Sequence, residues 1–171
     1  ANANQLNTDG DTQGNACDTD VDNDGVLDAA DPCSLVQNVN QLNTDGDMQG
    51  DACDADDDND TILDGVDNCP LAANLNQLNT DGDMQGNACD ADDDNDAVLD
   101  MVDNCPVNAN AGQEDFDGDL LGDACDNDSD NDGLSNAVEI ANALDPLNPD
   151  SDGDTIGDAD EFGPGAAPLN T

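Results

Sequence analysis

The chain has 171 residues, 44 of them Asp or Glu, and no Lys, Arg or His, so its formal charge is −44 and no side-chain salt bridge can form. Like charge excludes nucleic acid and anionic lipid as direct partners, and without His, Lys, Arg or Tyr an enzyme is not expected. Two Phe and no Trp or Tyr are too few bulky groups for an ordinary core.

Self-repulsion on this scale opposes compaction until cations neutralise it. Seven Cys suggest that disulfides stand in for the core, which requires an oxidising compartment. The chain shows no signal peptide or transmembrane stretch and does not begin with Met. It reads as a mature secreted or cell-surface product, or as a segment of a longer one.

From the N-terminus the sequence repeats every 36 residues, marked by Gln5, Gln41, Gln77 and Gln113. Cys17, Cys53, Cys89 and Cys125 keep the same interval, as do Cys33, Cys69 and Cys105. A disordered acidic tail has no reason to hold Asp in register with Cys.

The Asp spacing matches a 12-residue calcium loop, which offers oxygens at positions 1, 3, 5, 7, 9 and 12, with the backbone carbonyl at 7 and a sharp turn, favouring Gly, at 6. The frame fits nine times, implying about nine Ca²⁺, and more if neighbouring ions share ligands. The first loop offers Asn7, Asp9, Asp11, the Gln13 carbonyl, Asn15 and Asp18; the second offers Asp20, Asp22, Asp24, the Val26 carbonyl, Asp28 and Asp31. The next repeat supplies Asn43, Asp45, Asp47, Gln49, Asp51 and Asp54, then Asp56, Asp58, Asp60, Ile62, Asp64 and Asp67. The third supplies Asn79, Asp81, Asp83, Gln85, Asn87 and Asp90, then Asp92, Asp94, Asp96, Val98, Asp100 and Asp103. There follow Asp115, Asp117, Asp119, Leu121, Asp123 and Asp126, and Asp128, Asp130, Asp132, Leu134, Asn136 and Glu139. The last set is Asp150, Asp152, Asp154, Ile156, Asp158 and Glu161.

The loops starting at Asn7, Asn43 and Asn79 have a neutral first ligand, which should weaken binding. Thr61 and Ala97 replace Gly at position 6. A positive φ there would strain them, so the loops starting at Asp56 and Asp92 are expected to turn differently, with ordinary negative φ. Magnesium is the runner-up ion, since it prefers fewer protein ligands. Zinc does not suit a chain without His whose Cys lie 16 or 20 apart. Asn59-Asp60-Thr61 and Asn127-Asp128-Ser129 match the glycosylation triplet but fall inside metal loops, and are read as chance matches.

Beyond residue 133 the pattern changes. Ala137, Ile140, Ala141 and Leu144 have helical spacing, ended by Asp145-Pro146. The fold expected is a mostly irregular calcium-wrapped repeat array with little regular secondary structure and one short helix near 135–144. Its domains are tandem 36-residue calcium-binding disulfide repeats over 1–133, a helix-linked final calcium loop over 134–162, and an extended tail over 163–171.

The strings DTDVDNDGVLDAADPC, DADDDNDTILDGVDNCP and DADDDNDAVLDMVDNCP, each followed by an NQLNTDGD-type string or its variant GQEDFDGD, resemble thrombospondin type 3 repeats. The segment DSDNDGLSNAVEIANALDPLNPDSDGDTIGDADEFG resembles their bacterial variety, with two loops joined by a short helix. The resemblance implies a chain wrapped around a row of calcium ions. It also implies disulfides Cys33–Cys53, Cys69–Cys89 and Cys105–Cys125, whereas spacing alone leaves Cys17–Cys33, Cys53–Cys69 and Cys89–Cys105 equally open. Under the implied pairing Cys17 has no partner. Pro32-Cys33-Ser34 departs from the family's Asn-Cys-Pro.

Family members serve as calcium-stabilised spacers or adhesive modules outside cells. The roles expected here are a calcium-rigidified rod or filament subunit, a spacer or adhesion module of a larger surface or matrix protein, or a calcium buffer or mineral-nucleating matrix protein. The partners expected are calcium, copies of the chain arranged head to tail, and other extracellular proteins, with no membrane insertion. In the head-to-tail case Pro168–Thr171 would dock before Ala1–Gln5 of the next copy, mimicking Pro106–Gln113.

Overall fold

The computed structural model describes residues 6–162. The expected tail over 163–171, and both ends of the expected head-to-tail contact, lie outside the described residues.

Local hydrogen bonding dictates the fold, because Asp and Asn side chains accept from nearby backbone N–H groups and so stabilise turns over helix or strand. In every loop the position-9 N–H donates to the carbonyl just before position 1, from Asn15 to Leu6 (3.0 Å) through to Asp158 to Pro149 (3.0 Å). The position-9 side chain accepts the N–H of position 2, from Thr8 to Asn15 through Ser151 to Asp158. Inside the ring, the Asp at position 3 accepts the N–H of position 5. The Asp at position 5 accepts the N–H of position 7. The nine segments thus share one closure despite their different sequences.

Regular structure among the described residues is confined to a 3₁₀ turn, Asn15–Cys17, and two short helices, α1 (Asn136–Ala141) and α2 (Asp158–Phe162). The fold is an irregular disulfide-linked repeat array. Helix α1 is shorter than the expected 135–144, and its Ala137, Ile140 and Ala141 are exposed. Ala143 takes a left-handed φ of 61°, Leu144 N–H returns to the Glu139 carbonyl (2.9 Å) and Ala143 N–H to Ile140 (3.3 Å). These bonds form a Schellman end, which stops the helix before Asp145-Pro146. Ile140 is 68% exposed while Glu139 is 0% exposed. The ring of carboxylates, not an apolar stripe, sets which face turns inward.

Apolar burial among the described residues is limited to Val21, Cys33, Cys69 and Cys105. The cores are therefore sulfur. Disulfides join Cys33 to Cys53, Cys69 to Cys89 and Cys105 to Cys125, with Cα separations of 5.6, 5.6 and 5.7 Å, and Cys17 is a free, exposed thiol. Two glycines permit the close approach: a Cβ on Gly86 or Gly122 would lie 2.4 Å from the Oδ1 of Asn68 or Asn104.

The chain divides into two compact units, Ala1–Cys89 and Asp90–Thr171. The first holds the Asn7, Asp20, Asn43 and Asp56 loops and two disulfides; the second holds the Asp92, Asp115, Asp128 and Asp150 loops, the third disulfide and both helices.

Candidate metal centre

The closure of the six Asp-first loops leaves particular oxygens facing inward with nothing to bond. Buried, unpartnered carboxylate oxygens come from position 1 (Asp20, Asp56, Asp128), position 3 (Asp22, Asp58, Asp94, Asp117, Asp130) and position 12 (Asp31, Asp67, Asp103, Glu139, Glu161). A buried acceptor without a donor costs about 1–3 kcal/mol, more when charged. Convergence of several on one point requires a cation. Ligand atoms of Asp20, Asp22 and Asp24 lie within 4.8 Å of one another, as do those of Asp56, Asp58 and Asp60. This all-oxygen set fits a hard divalent ion such as Ca²⁺.

Electrostatics mark the same groups. Burial, aided by neighbouring carboxylates, pushes Asp22, Asp58, Asp94, Asp130 and Glu161 above the ordinary carboxylate range. Glu139 is pushed up to about 7, first by burial and then by Asp130, Asp132, Asp128 and Asp158. Each shift reports an anion held where the protein itself supplies no positive partner.

The Asn-first loops are built differently. Clusters there draw on positions 3, 5 and 12: Asp9, Asp11 and Asp18 in one, Asp45, Asp47 and Asp54 in the next. The first side chain is occupied internally. Asn7 and Asn43 Oδ1 accept the N–H of Gly10 and Gly46, and their Nδ2 donate to the Asp11 and Asp47 carbonyls. Asn79 does the same with Gly82 and Asp83. In the six Asp-first loops the first carboxylate accepts the position-6 N–H, at 2.9–3.2 Å, and Asp115 and Asp150 accept the position-4 N–H of Gly118 and Gly153 as well.

That bond corrects the expectation for Thr61 and Ala97. They have φ of 82° and 78°, the same side of the map as Gly25 (98°) and Gly133 (99°). The first carboxylate pulls the position-6 N–H inward whatever residue carries it. Leu120 and Thr155, whose position the sequence reading passed over, are held the same way at 85° and 81°.

Position 9 is first a structural position. At Asn15, Asn87 and Asn136 the amide oxygen accepts a backbone N–H while Nδ2 donates to Thr8, Thr80 or Ser129 hydroxyl oxygen. Both ends of these amides serve loop closure.

Contacts that reach beyond each loop hold its closing carboxylate in place. Asp31, Asp67 and Asp103 at position 12 accept the N–H of Cys33, Cys69 and Cys105, which ties each loop to its disulfide. Gln77 and Gln113 donate to Asp67 and Asp103 (2.7 Å each) and accept the N–H of Asn68 and Asn104. In the first repeat Pro32 has no N–H to give, and Gln41 Oε1 is left buried without a partner. Asp57 was also passed over: burial, with Asp64, Asp51, Asp54 and Asp45 nearby, raises it to about 6. The repeating Gln was the visible signal for the first of these; nothing in the pattern marked the second.

The thrombospondin type 3 repeat model matches residues 7–41, 43–77, 79–113 and 114–139. No curated protein matches the chain. The matched segments cover most of the sequence and coincide with the disulfide-closed acidic loops just described, and the chain belongs to the thrombospondin type 3 repeat family.

Proposed function

We propose that this calcium-binding repeat module is an extracellular structural protein whose loops, nine in all, each hold Ca²⁺ and whose job is to be a calcium-rigidified rod or filament subunit. The observation that carries the reading is the set of buried, unpartnered oxygens at positions 1, 3 and 12 of the six Asp-first loops, joined in the Asn-first loops by carboxylate clusters from positions 3, 5 and 12. The ligand sets are those given above, with positions 1, 3, 5 and 12 as side-chain donors and position 7 as the carbonyl. In the Asn-first loops the clustered carboxylates are those of positions 3, 5 and 12, while the Asn at position 1 is engaged within the loop.

Bound calcium supplies neutralising charge and a cross-link between loop segments. Nine divalent ions bring eighteen positive charges, leaving a formal charge of −26 in place of −44. The chain's own residues do the rest: Asp side chains organise the turns, and the disulfides restrain each repeat. Disulfides fit an oxidising, extracellular setting. Among the described residues no helix is long and apolar enough to cross a membrane. No catalytic role is assigned, since the buried carboxylates converge as cation ligands.

The test is sedimentation of native material in millimolar Ca²⁺ and after chelation, with negative-stain images of both. Filaments that pellet in calcium and dissolve on chelation support the subunit reading. A soluble particle that only expands on chelation supports a spacer or adhesion module of a larger surface protein. Unchanged hydrodynamic radius on chelation overturns both.

A further inference from the structure

The final loop and the loop before it are not independent. We propose that Asp158, which closes the Asp150 loop, also supplies a ligand oxygen to a divalent cation held by Asp130, Asp132 and Glu139 of the Asp128 loop. The inference rests on the calcium reading above.

Asp158 is 0% exposed. Its Oδ1 accepts the N–H of Ser151 (3.0 Å), the position-2 bond that every loop makes. Its Oδ2 is buried and has no partner. Glu139 is also 0% exposed, and neither of its oxygens has a partner; Asp130 Oδ2 is buried and unpartnered too. These groups feel one another: Asp158 is among the charges that raise both Glu139 and Asp130. Proximity is fixed by the backbone. The N–H of Ala159, next to Asp158, donates to Asp132 Oδ2 across 27 residues of sequence (3.2 Å). A Cβ on Gly133 would touch Ala159 Cβ at 3.9 Å.

The earlier repeats show what this replaces. There the position-5 carboxylates of Asp24, Asp60 and Asp96 accept the N–H of Asn38, Asn74 and Asn110, each 14 residues on. A neutral Asn–Gln pair from the same repeat completes those sites. In the Asp128 loop the N-terminal turn of α2 takes over the hydrogen bond and brings a carboxylate in place of the amides. Four unpartnered carboxylate oxygens from three buried residues need a cation shared between loops. Calcium accepts such mixed, multi-segment oxygen sets.

The experiment is a calcium titration of the full, disulfide-bonded chain followed by amide NMR, reading Gly133 for the Asp128 loop and Thr155 for the Asp150 loop. Asp158→Asn keeps the Ser151 bond, since Asn closes the same position in the Asn7 and Asp128 loops, but removes the charged oxygen. The expected result is a rise of roughly tenfold in the calcium midpoint at Gly133. Asp152→Asn, which removes a donor from the last loop alone, should move Thr155 and shift Gly133 less than about twofold. The proposal is overturned if Asp158→Asn leaves the Gly133 midpoint in place, or if Asp152→Asn moves Gly133 equally. If neither amide responds to calcium in the wild type, the calcium reading itself fails.

Discussion

The Asn43 and Asp56 loops follow one another in the same repeat and close by the same bonds, yet their backbones turn in opposite senses at position 6. Asn43 donates from Nδ2 to the Asp47 carbonyl, whereas Asp56 accepts the N–H of Thr61. The carbonyl of position 5 and the N–H of position 6 belong to one peptide unit and point to opposite sides. Whichever faces the first side chain decides the orientation of that peptide. An ionised carboxylate can only accept, so it selects the N–H and forces φ positive. A carboxamide can donate, so it selects the carbonyl, and Met48 avoids the positive φ forced on Thr61. One atom's chemistry at position 1 thus sets strain at position 6 and which carboxylates form the cluster.

The two classes should separate most clearly when calcium is withdrawn. Chelation should convert the protein to an expanded, disulfide-linked coil, with the Asn-first loops emptying at higher free calcium because they carry fewer charged ligands. Hydrodynamic radius and loop-resolved amide shifts measure both; simultaneous release from Asn43 and Asp56 loops would erase the distinction. Next in size, Asp56→Asn should turn one class into the other. It should weaken that ion by about 10- to 100-fold and return Thr61 to negative φ, read from its amide–α coupling.

Acid should discriminate as well. Glu139 has its folded value raised to about 7 from an ordinary 4.5. The calcium-free fold is therefore relatively favoured below about 4.5 and loses that advantage as pH rises to about 7. Calcium has to displace the proton below about 7, so affinity at the Asp128 loop should fall by up to about tenfold per pH unit between 7 and 5. Calorimetry at several pH values checks this; a flat affinity over that window would place the proton elsewhere. The smallest effect is local. Thr61→Gly should stabilise the loaded protein by about 1 kcal/mol by relieving a positive φ, while Met48→Gly should destabilise it by about 0.5–1 kcal/mol. Calcium-dependent thermal melts of the two variants would show opposite shifts.

Much of this was legible beforehand because a calcium loop is a local object. Ligand spacing, turn positions and disulfide-bearing Cys all recur at fixed intervals, so the frame could be laid along the chain without knowing any long-range contact. What misled was transferring one loop's detail to all. The glycine of the Asn-first loops sits at position 4, where Gly10 and Gly46 have φ of 77° and 75°. Helical spacing around Ile140 marks the helix but not its inner face: with so few apolar groups to pack against, Ile140 stays exposed and the carboxylate of Glu139 turns inward.

The sequence by itself determined the repeat, the phase of the acidic loops and the family, since each depends on residues a few positions apart. It left two disulfide ladders open, and only the folded chain selected Cys33–Cys53, Cys69–Cys89 and Cys105–Cys125. Tertiary structure alone decided where helix α1 ends, the sharing of Gln77 and Gln113 with position 12, and the approach of Asp158 to the Asp128 loop. Those outcomes depend on which buried oxygens end up facing one another. Spacing along the chain does not encode that; the closure of each loop against its neighbour does.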